Sequence, residues 1–203
     1  MSLISAFLLG AVGWTLLEYL LHRFIFHSRS IKALGAREHR KHHALVDYFA
    51  PWWQKMLAAV VVTAILLPLL IQLSGTQHGI AGTLGFIVMY LAYELLHRRI
   101  HTHPPRHRYG RWRRKHHFAH HFVDPRRAQG VTSPFWDRAF GTVLSVDRVR
   151  VPRRLAMPWL VDANGEICAD YVEDYELVGS HKKDQNTRRL DTEAAMKNER
   201  PGV

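Results

Sequence analysis

The chain alternates between long apolar segments and strongly polar ones. The apolar segments run from Leu3 to Leu21, from Met56 to Leu73 and from Ile80 to Leu96, and their only charged residues are Glu18 and Glu94. Each is long enough, or nearly so, to cross a hydrocarbon core of about 30 Å at about 1.5 Å per residue. The pattern predicts an all-α integral membrane protein with three or four transmembrane helices.

Two other interpretations of the apolar segments are less consistent with the sequence. The first segment could be a signal peptide, but it lacks a basic start and an A-x-A-like cleavage site, and it continues directly into His22 and Arg23. The three segments could be buried helices of a soluble protein, but they would then need more polar surface than this chain supplies. We therefore expect three retained membrane helices.

The distribution of charge predicts the orientation in the membrane. A short polar turn at Ser74–Gly79 makes the second and third helices an antiparallel hairpin, so residues 22–50 and 97–203 share one side. Nearly all Lys and Arg of this chain, whose net charge is +11, lie on that side. The positive-inside rule predicts that it is cytoplasmic. The single cysteine, Cys168, excludes an intrachain disulfide.

The polar C-terminal part is predicted to be peripheral. Residues 151–180 form a small cytosolic extension, with a hairpin centred on the turn pair Asn164-Gly165. Residues 181–203 are charged without periodicity, which is typical of a disordered tail.

Histidine is strongly clustered. The chain has 15 histidines, and all but His78 and His181 lie within residues 22–43 and 97–121. Both windows begin where an apolar segment ends, and both lie on the same predicted side. The two windows are therefore expected to meet at one membrane face.

The spacing of the histidines is helical. In an H-x-x-H-H motif on a helix, the three side chains fall within an arc of about 100°. An H-x-x-x-H motif places two side chains one turn apart on one face. The motifs are His39/His42/His43, His117/His120/His121 and His97/His101.

His22 and His27 are five residues apart, or about 140° on a straight helix. Either one of them lies past the helix end, or the two bind different metals. Ten histidines are too many for one metal but suit two metals with four or five ligands each, and neutral imidazole binds Fe, Zn, Cu and Ni. The ten candidate ligands are His22, His27, His39, His42, His43, His97, His101, His117, His120 and His121.

The alternatives for these histidines are weaker. A loose metal-buffering tract would not repeat H-x-x-H-H at helical spacing beside membrane helices. A ferritin-like di-iron site needs two Glu-x-x-His pairs and two further Glu, but only Glu94–His97 has that form. His103, His107 and His116 stand outside the ten, and surface or core roles are favoured for the first two.

The ordered motifs resemble the fatty acid hydroxylase superfamily, which includes sterol desaturases, fatty acid 2-hydroxylases and carotenoid hydroxylases. Tyr93–His101 and Lys115–Phe122 are similar to the third and fourth histidine boxes of fatty acid 2-hydroxylases. Gly130–Asp137 is similar to the Trp-Asp segment that follows them. The resemblance covers roughly residues 15–145.

The resemblance implies an O₂-dependent oxygenase with two iron ions, for which zinc can substitute in purified protein. The ten histidines match the family's ligand positions, and residues 1–150 would be the membrane-embedded catalytic domain. The implied reaction is hydroxylation of a C–H bond in a lipid acyl chain. The alternative on the same scaffold is hydroxylation or desaturation of a carotenoid or sterol.

The resemblance also implies partners. Eukaryotic fatty acid 2-hydroxylases carry a fused cytochrome b5 domain and one more helix before the first box, and neither fits within these 203 residues. We therefore expect a separate electron donor, either cytochrome b5-like or ferredoxin-like. The basic charge would permit nucleic acid, but no recognition module is present and none is expected to bind. Arginines that could hold a lipid carboxylate or phosphate, or dock an acidic carrier, are Arg98, Arg99, Arg106, Arg108, Arg111, Arg113 and Arg114.

The two acidic residues of the apolar segments have a predicted role at the site. Glu18 lies one helical turn before His22, and Glu94 three residues before His97. Metal-bound imidazoles usually donate their other N–H to a carboxylate or carbonyl, and ionisable residues within membranes are usually functional. The alternative is that both acids reach the interface or pair with Arg23 and Arg98.

Overall fold

The structure is a computed structural model that describes residues 1–28, 30–31 and 33–179. The predicted tail at 181–203 lies outside the described residues. The chain is mostly helical, as predicted, and the three apolar segments each form a helix that is long and apolar enough to cross a membrane.

The membrane helices are α1 (Leu3–Leu20), α3 (Trp52–Ser74) and α4 (Thr76–Thr102). Helices α1 and α4 pack closely, because a Cβ atom added to Gly10 would lie 1.9 Å from the carbonyl oxygen of Gly82. Only Gly75, with a φ of 83°, separates α3 from α4, so the hairpin is tighter than the predicted six-residue turn. Such a positive φ favours glycine.

Helix α1 continues into a π-helical turn, Leu21–Phe26. The polar helices are α2 (Leu34–Ala44), which lies between α1 and α3, and α5 (Arg108–Phe122) and the short α6 (Phe135–Ala139), which follow α4. Both H-x-x-H-H motifs therefore lie on polar helices, and the other candidate ligands lie at or just beyond the ends of α1 and α4.

The C-terminal extension adds a small sheet to the predicted helical architecture. Strands β1 (Val149–Pro152) and β2 (Tyr175–Val178) pair in parallel, with Val149 opposite Tyr175. Between them lie 3₁₀ turns at Arg153–Leu155 and Ala169–Tyr171. The predicted turn at Asn164-Gly165 is present, closed by an antiparallel bridge between residues 161 and 167.

This extension packs on α5. Val149, Val151 and Tyr175 form one buried core with Phe118 of α5 and Ile100 of α4. The extension therefore holds the two helices that carry half of the candidate ligands.

Candidate metal centre

The ten predicted ligands form two groups of five, and the candidate ligand atoms in each group lie within 4.8 Å of one another. We call them the first and second clusters. The first consists of His22, His27, His39, His43 and His120. The second consists of His42, His97, His101, His117 and His121.

The spacing within the first cluster fits one metal ion. The Nε2 atom of His39 lies 3.1 Å from that of His22 and 3.0 Å from those of His27 and His43. The Nε2 atom of His120 lies 3.0 Å from that of His27 and 3.2 Å from that of His43. With metal–nitrogen bonds of about 2.1 Å, two ligands at right angles are about 3.0 Å apart.

The second cluster has the same spacing. The Nε2 atom of His101 lies 3.2 Å from that of His42 and 2.8 Å from that of His117, which lies 3.1 Å from that of His121. The Nε2 atom of His97 is buried and has no hydrogen-bond partner among the residues that the structure describes. A buried nitrogen without a partner is costly unless it binds something, so this atom also fits a metal ligand.

The π-helical turn explains the five-residue spacing. A π-helix forms i→i+5 hydrogen bonds, so residues five apart align along it. His22 lies in the turn and His27 immediately follows it, and their rings are 5.2 Å apart. Of the two alternatives predicted from the sequence, His27 does lie past the helix end, and both histidines fall in the same cluster.

Each H-x-x-H-H motif contributes to both clusters. In α2 the middle histidine, His42, joins the second cluster, while its two partners join the first. In α5 the arrangement is reversed, and His120 joins the first cluster. The rings of His43 and His121 stack across the boundary with their centroids 4.0 Å apart. The two clusters are therefore adjacent.

The clusters are made of neutral imidazoles. Burial lowers the pKa of His27 and of His42 to about 4, and burial together with the neighbouring imidazoles lowers the pKa of His43 to about 2. Burial likewise holds the pKa of His117 and His120 well below the usual range. Neutral imidazole is the form that binds metals, so these ligands need not lose a proton near neutral pH.

Backbone carbonyls fix the orientation of three ligands. The Nδ1 atoms lie 2.5 Å (His22), 2.7 Å (His42) and 2.8 Å (His120) from carbonyl oxygens. A carbonyl only accepts, so each Nδ1 carries the proton and each Nε2 presents a lone pair to its cluster. The accepting carbonyls belong to Gln129, Tyr48 and Arg127, respectively.

The two membrane acids contact other partners. Glu18 accepts hydrogen bonds from the backbone amides of Val131 and Thr132, and Glu94 accepts one from Lys55. Within the part of the chain that the structure describes, neither carboxylate forms the contact with an imidazole that the sequence predicted.

Both clusters border one cavity of about 490 Å³ between α1, α3 and α4. Its lining includes two ligands from each cluster and many apolar side chains. The ligands are His22, His39, His42 and His97, and the apolar side chains include Leu17, Ala59, Val62, Phe86 and Ile87. The geometry therefore joins a largely apolar cavity between membrane helices to two histidine clusters that could each hold a metal ion.

Residues 7–142 match the model of the fatty acid hydroxylase family. This chain belongs to that family. It is 34% identical over 146 residues to dihydroceramide fatty acyl 2-hydroxylase FAH2 of Arabidopsis thaliana, covering 70% of this chain and 61% of that protein. It is 32% identical over 159 residues to ceramide very long chain fatty acid hydroxylase scs7 of Schizosaccharomyces pombe, covering 68% and 42%.

A solved structure of full-length scs7p, in which only the hydroxylase domain is visible, resembles this fold with a TM-score of 0.58 and 27% identity. The similarity covers 70% of this chain and 56% of that one. The chain therefore spans between 42% and 61% of the length of these relatives.

Some of the arginines predicted to bind acidic groups have structural roles in this member of the fatty acid hydroxylase family. Arg114 is 8% exposed and donates to the carbonyl oxygens of Arg99, His103 and Gly110. Two further arginines of α5 are also engaged, Arg111 with Asp174 and Arg113 with the carbonyl of Thr132. Arg98 lies over the ring of Phe49, 4.9 Å from its centroid.

Sequence reasoning missed the groups that support the imidazoles. Every residue has a carbonyl, so no sequence signal identifies those of Tyr48, Arg127 and Gln129. Asp137 lies in the Trp-Asp segment that resembles the family, but no role was assigned to it. It is fully buried, and His116, which stood outside the ten predicted ligands, contacts it at 3.3 Å.

Proposed function

We propose that this protein uses O₂ and two iron ions to hydroxylate a C–H bond in the acyl chain of a membrane lipid. The observation that carries the proposal is the shared cavity, because both five-histidine clusters border the same apolar space between membrane helices. A metal pair beside an apolar cavity suits an oxidation whose substrate offers only C–H bonds near the metals.

The chain's own residues have three tasks in this reaction. Ten neutral imidazoles would hold the iron ions, which when bound would supply the O₂ activation that an unactivated C–H bond requires. The cavity between α1, α3 and α4 orients the acyl chain, and its apolar walls exclude water. Zinc lies above Fe²⁺ in affinity, so zinc can occupy the clusters in purified protein.

The relatives favour an acyl substrate. Both curated relatives are named as hydroxylases of fatty acyl chains, and both names specify ceramide or dihydroceramide. We therefore propose an acyl-lipid substrate rather than the carotenoid or sterol of the alternative function.

The remaining organisation is also proposed. Residues 1–150 act as the catalytic domain, and 151–180 as a small extension that supports α5. The histidine clusters face the cytoplasm, since most of the basic residues lie on their side. Electrons come from a separate cytochrome b5-like or ferredoxin-like donor that docks on this basic side.

The test is lipid mass spectrometry of cells with and without the protein, grown under isotopically labelled O₂. We expect acyl lipids that have gained one labelled oxygen atom. Oxidised carotenoids or sterols, without oxidised acyl lipids, would support the alternative instead. Unlabelled oxygen in the product, or no oxidised lipid with the metals present, would contradict the proposal.

A cavity variant tests the assigned binding site. Ala59 and Val62 line the cavity from α3, and neither is a candidate ligand. Val62→Trp should fill part of the cavity and reduce turnover of long acyl chains while both metals stay bound. A matched variant on the same helix is Val60→Trp, because Val60 is 60% exposed and is not among the cavity-lining residues. Equal turnover in the two variants would contradict the assignment.

A further inference from the structure

The segment from Arg127 to Thr132, between α5 and α6, hydrogen-bonds two imidazoles of the first cluster. The carbonyl of Arg127 accepts from Nδ1 of His120, and that of Gln129 accepts from Nδ1 of His22. His22 lies in the π-helical turn after α1, and His120 lies in α5. One short stretch of backbone thus sets the orientation of two of the five imidazoles.

Two buried carboxylates hold this backbone. The amides of Gln129 and Gly130 each donate to Asp137 at 2.8 Å, one to each carboxylate oxygen. The next two amides both donate to Oε1 of Glu18, at 2.6 and 3.0 Å. Four consecutive N–H groups therefore end on carboxylate oxygens. The two bonds to Asp137 are charge-assisted, and such bonds are about twice as strong as neutral ones.

Asp137 is itself held firmly. It is fully buried, and it also accepts hydrogen bonds from Thr142 Oγ1 at 2.7 Å and from His116 Nε2 at 3.3 Å. Burial alone would raise the pKa of Asp137, but these hydrogen bonds, with those of the two amides, lower it overall. The carboxylate is therefore ionised at neutral pH.

A close approach makes the segment rigid. A Cβ atom added to Gly130 would lie 2.1 Å from the carbonyl oxygen of Ser133 and 3.0 Å from Oδ2 of Asp137. Glycine is thus required where the backbone passes over the carboxylate. The carbonyl of Gln129, adjacent to Gly130, consequently has little freedom to move away from His22.

We propose that Asp137 and Glu18 are positioning residues for the first cluster alone, acting through the 127–132 backbone on His22 and His120. The proposal rests on the two-metal site of the proposed function. Glu18 acts on the imidazoles through backbone amides, and not by the direct contact that the sequence predicted.

The second cluster provides the contrast on which the proposal depends. In this cluster His42 Nδ1 contacts the carbonyl of Tyr48, and the backbone of Val46 hydrogen-bonds His101; both residues lie outside the 127–132 segment. Among the residues that the structure describes, the Nδ1 atoms of His117 and His121 are buried without a hydrogen-bond partner. Loss of the carboxylate contacts should therefore weaken one metal site and leave the other loaded.

The experiment counts the metal ions bound per chain in purified, folded full-length protein titrated with Fe²⁺ or Co²⁺. Asp137→Asn should lower metal affinity at one site by about ten- to a hundredfold. Asparagine keeps one acceptor oxygen, but its NH₂ group then faces a backbone N–H. Glu18→Gln should change affinity far less, since one amide oxygen can accept both bonds that Oε1 of Glu18 accepts now.

Asp174→Asn is the matched control. Asp174 binds Arg111 and Lys115, at the start and middle of α5, and makes no contact with the 127–132 segment. This variant should bind two metals with unchanged affinity. Weakening of metal binding equal to that of Asp137→Asn would show a general effect of losing an acid and would overturn the proposal.

A double variant identifies the affected site. His101→Ala disrupts the second cluster and should leave one metal, and adding Asp137→Asn should weaken the binding of that metal about ten- to a hundredfold. In contrast, adding Asp137→Asn to His43→Ala, a first-cluster variant, should leave the remaining metal in place. Equal loss in both backgrounds, or two tightly bound metals in Asp137→Asn, would overturn the proposal.

A milder variant covers the case in which Asp137→Asn does not fold. Thr142→Val removes one donor to Asp137 and should weaken the first metal severalfold, with the second unchanged. Equal weakening of both metals would overturn the proposal. Metal counts are independent of turnover, so a wild type with two metals and no hydroxylated lipid would contradict only the proposed function.

Discussion

The two histidine clusters have the same number and type of ligands but different surroundings. In the first cluster, His27, His39 and His43 are only partly buried, and carbonyls of the 127–132 segment hold the other two ligands. In the second cluster four of the five histidines are buried, and among the described residues the Nδ1 atoms of His117 and His121 have no hydrogen-bond partner. The 127–132 backbone therefore positions two histidines of the first cluster, whereas the second cluster is held by packing and by contacts such as that of His42 with the Tyr48 carbonyl.

This difference shows how one family motif can build two unlike sites. Each H-x-x-H-H motif supplies both clusters, so the difference cannot come from the motifs themselves. It comes from what lies behind each imidazole. Behind the first cluster lies a backbone segment fixed by two acids, and behind the second lies the core formed by Phe118 and the C-terminal extension.

The largest expected effect is the loss of a middle histidine. His42→Ala removes a ligand of the second cluster and His120→Ala one of the first, and each should reduce hydroxylation to background because both metals are needed. His78→Ala is the control, since His78 contacts the carbonyl of Met1 far from both clusters in the fold. Metal counting and lipid mass spectrometry measure the outcome. Loss of activity in His78→Ala with normal expression would contradict the ligand assignment.

The second prediction concerns metal exchange. Because three ligands of the first cluster are partly exposed, a chelator should remove its metal before that of the second cluster. Metal release should have two phases of equal amplitude. In His101→Ala, whose remaining metal occupies the first cluster, only the fast phase should remain. A single phase in the wild type would show that the clusters are equally accessible.

The third prediction tests the packing of the second cluster. Trp159 Nε1 donates to the carbonyl oxygen of His101 at 3.0 Å, and its ring packs on Phe118. Trp159→Phe keeps most of the packing but loses this bond, at a cost of about 1 kcal/mol. The melting temperature should fall slightly, and metal affinity should weaken at the second cluster only. Weaker metal affinity at the first cluster would contradict the claim that separate contacts hold the two clusters.

The smallest expected effect is that of Glu94→Gln. The sequence predicted that Glu94 orients His97, which would give about a ten- to hundredfold loss of metal affinity in this variant. The structure instead pairs Glu94 with Lys55. Because Glu94 contacts Lys55 and not His97, Glu94→Gln should leave both metals bound. Titration of the variant with Co²⁺ distinguishes these two roles of Glu94. A large loss of metal affinity at the second cluster would favour the contact with His97.

The sequence predicted the helices and the clustering of the histidines because both follow local spacing. The three apolar segments form three helices, and all ten predicted histidines joined a cluster. The assignment to clusters could not be predicted, because one helical face can straddle two metals. The offset of five between His22 and His27 did mark an irregular helix, although not its π-helical form.

The sequence could not predict the contacts that depend on tertiary structure. Glu18 accepts a hydrogen bond from the backbone N–H of Val131, which lies 113 positions away in the sequence, and nothing local indicates that pairing. The β1–β2 pair joins four-residue strands that are separated by a long loop, so their periodicity is too short to recognise. The backbone carbonyls that accept hydrogen bonds from the imidazoles cannot be recognised from the sequence, because every residue has one.

The most direct test of the account is a crystal structure of the iron-loaded protein with anomalous scattering at the iron edge. We predict two iron peaks per chain, each surrounded by five imidazole nitrogens, with His42 beside one peak and His120 beside the other. A single peak, or two peaks that do not divide the histidines into the first and second clusters, would contradict it.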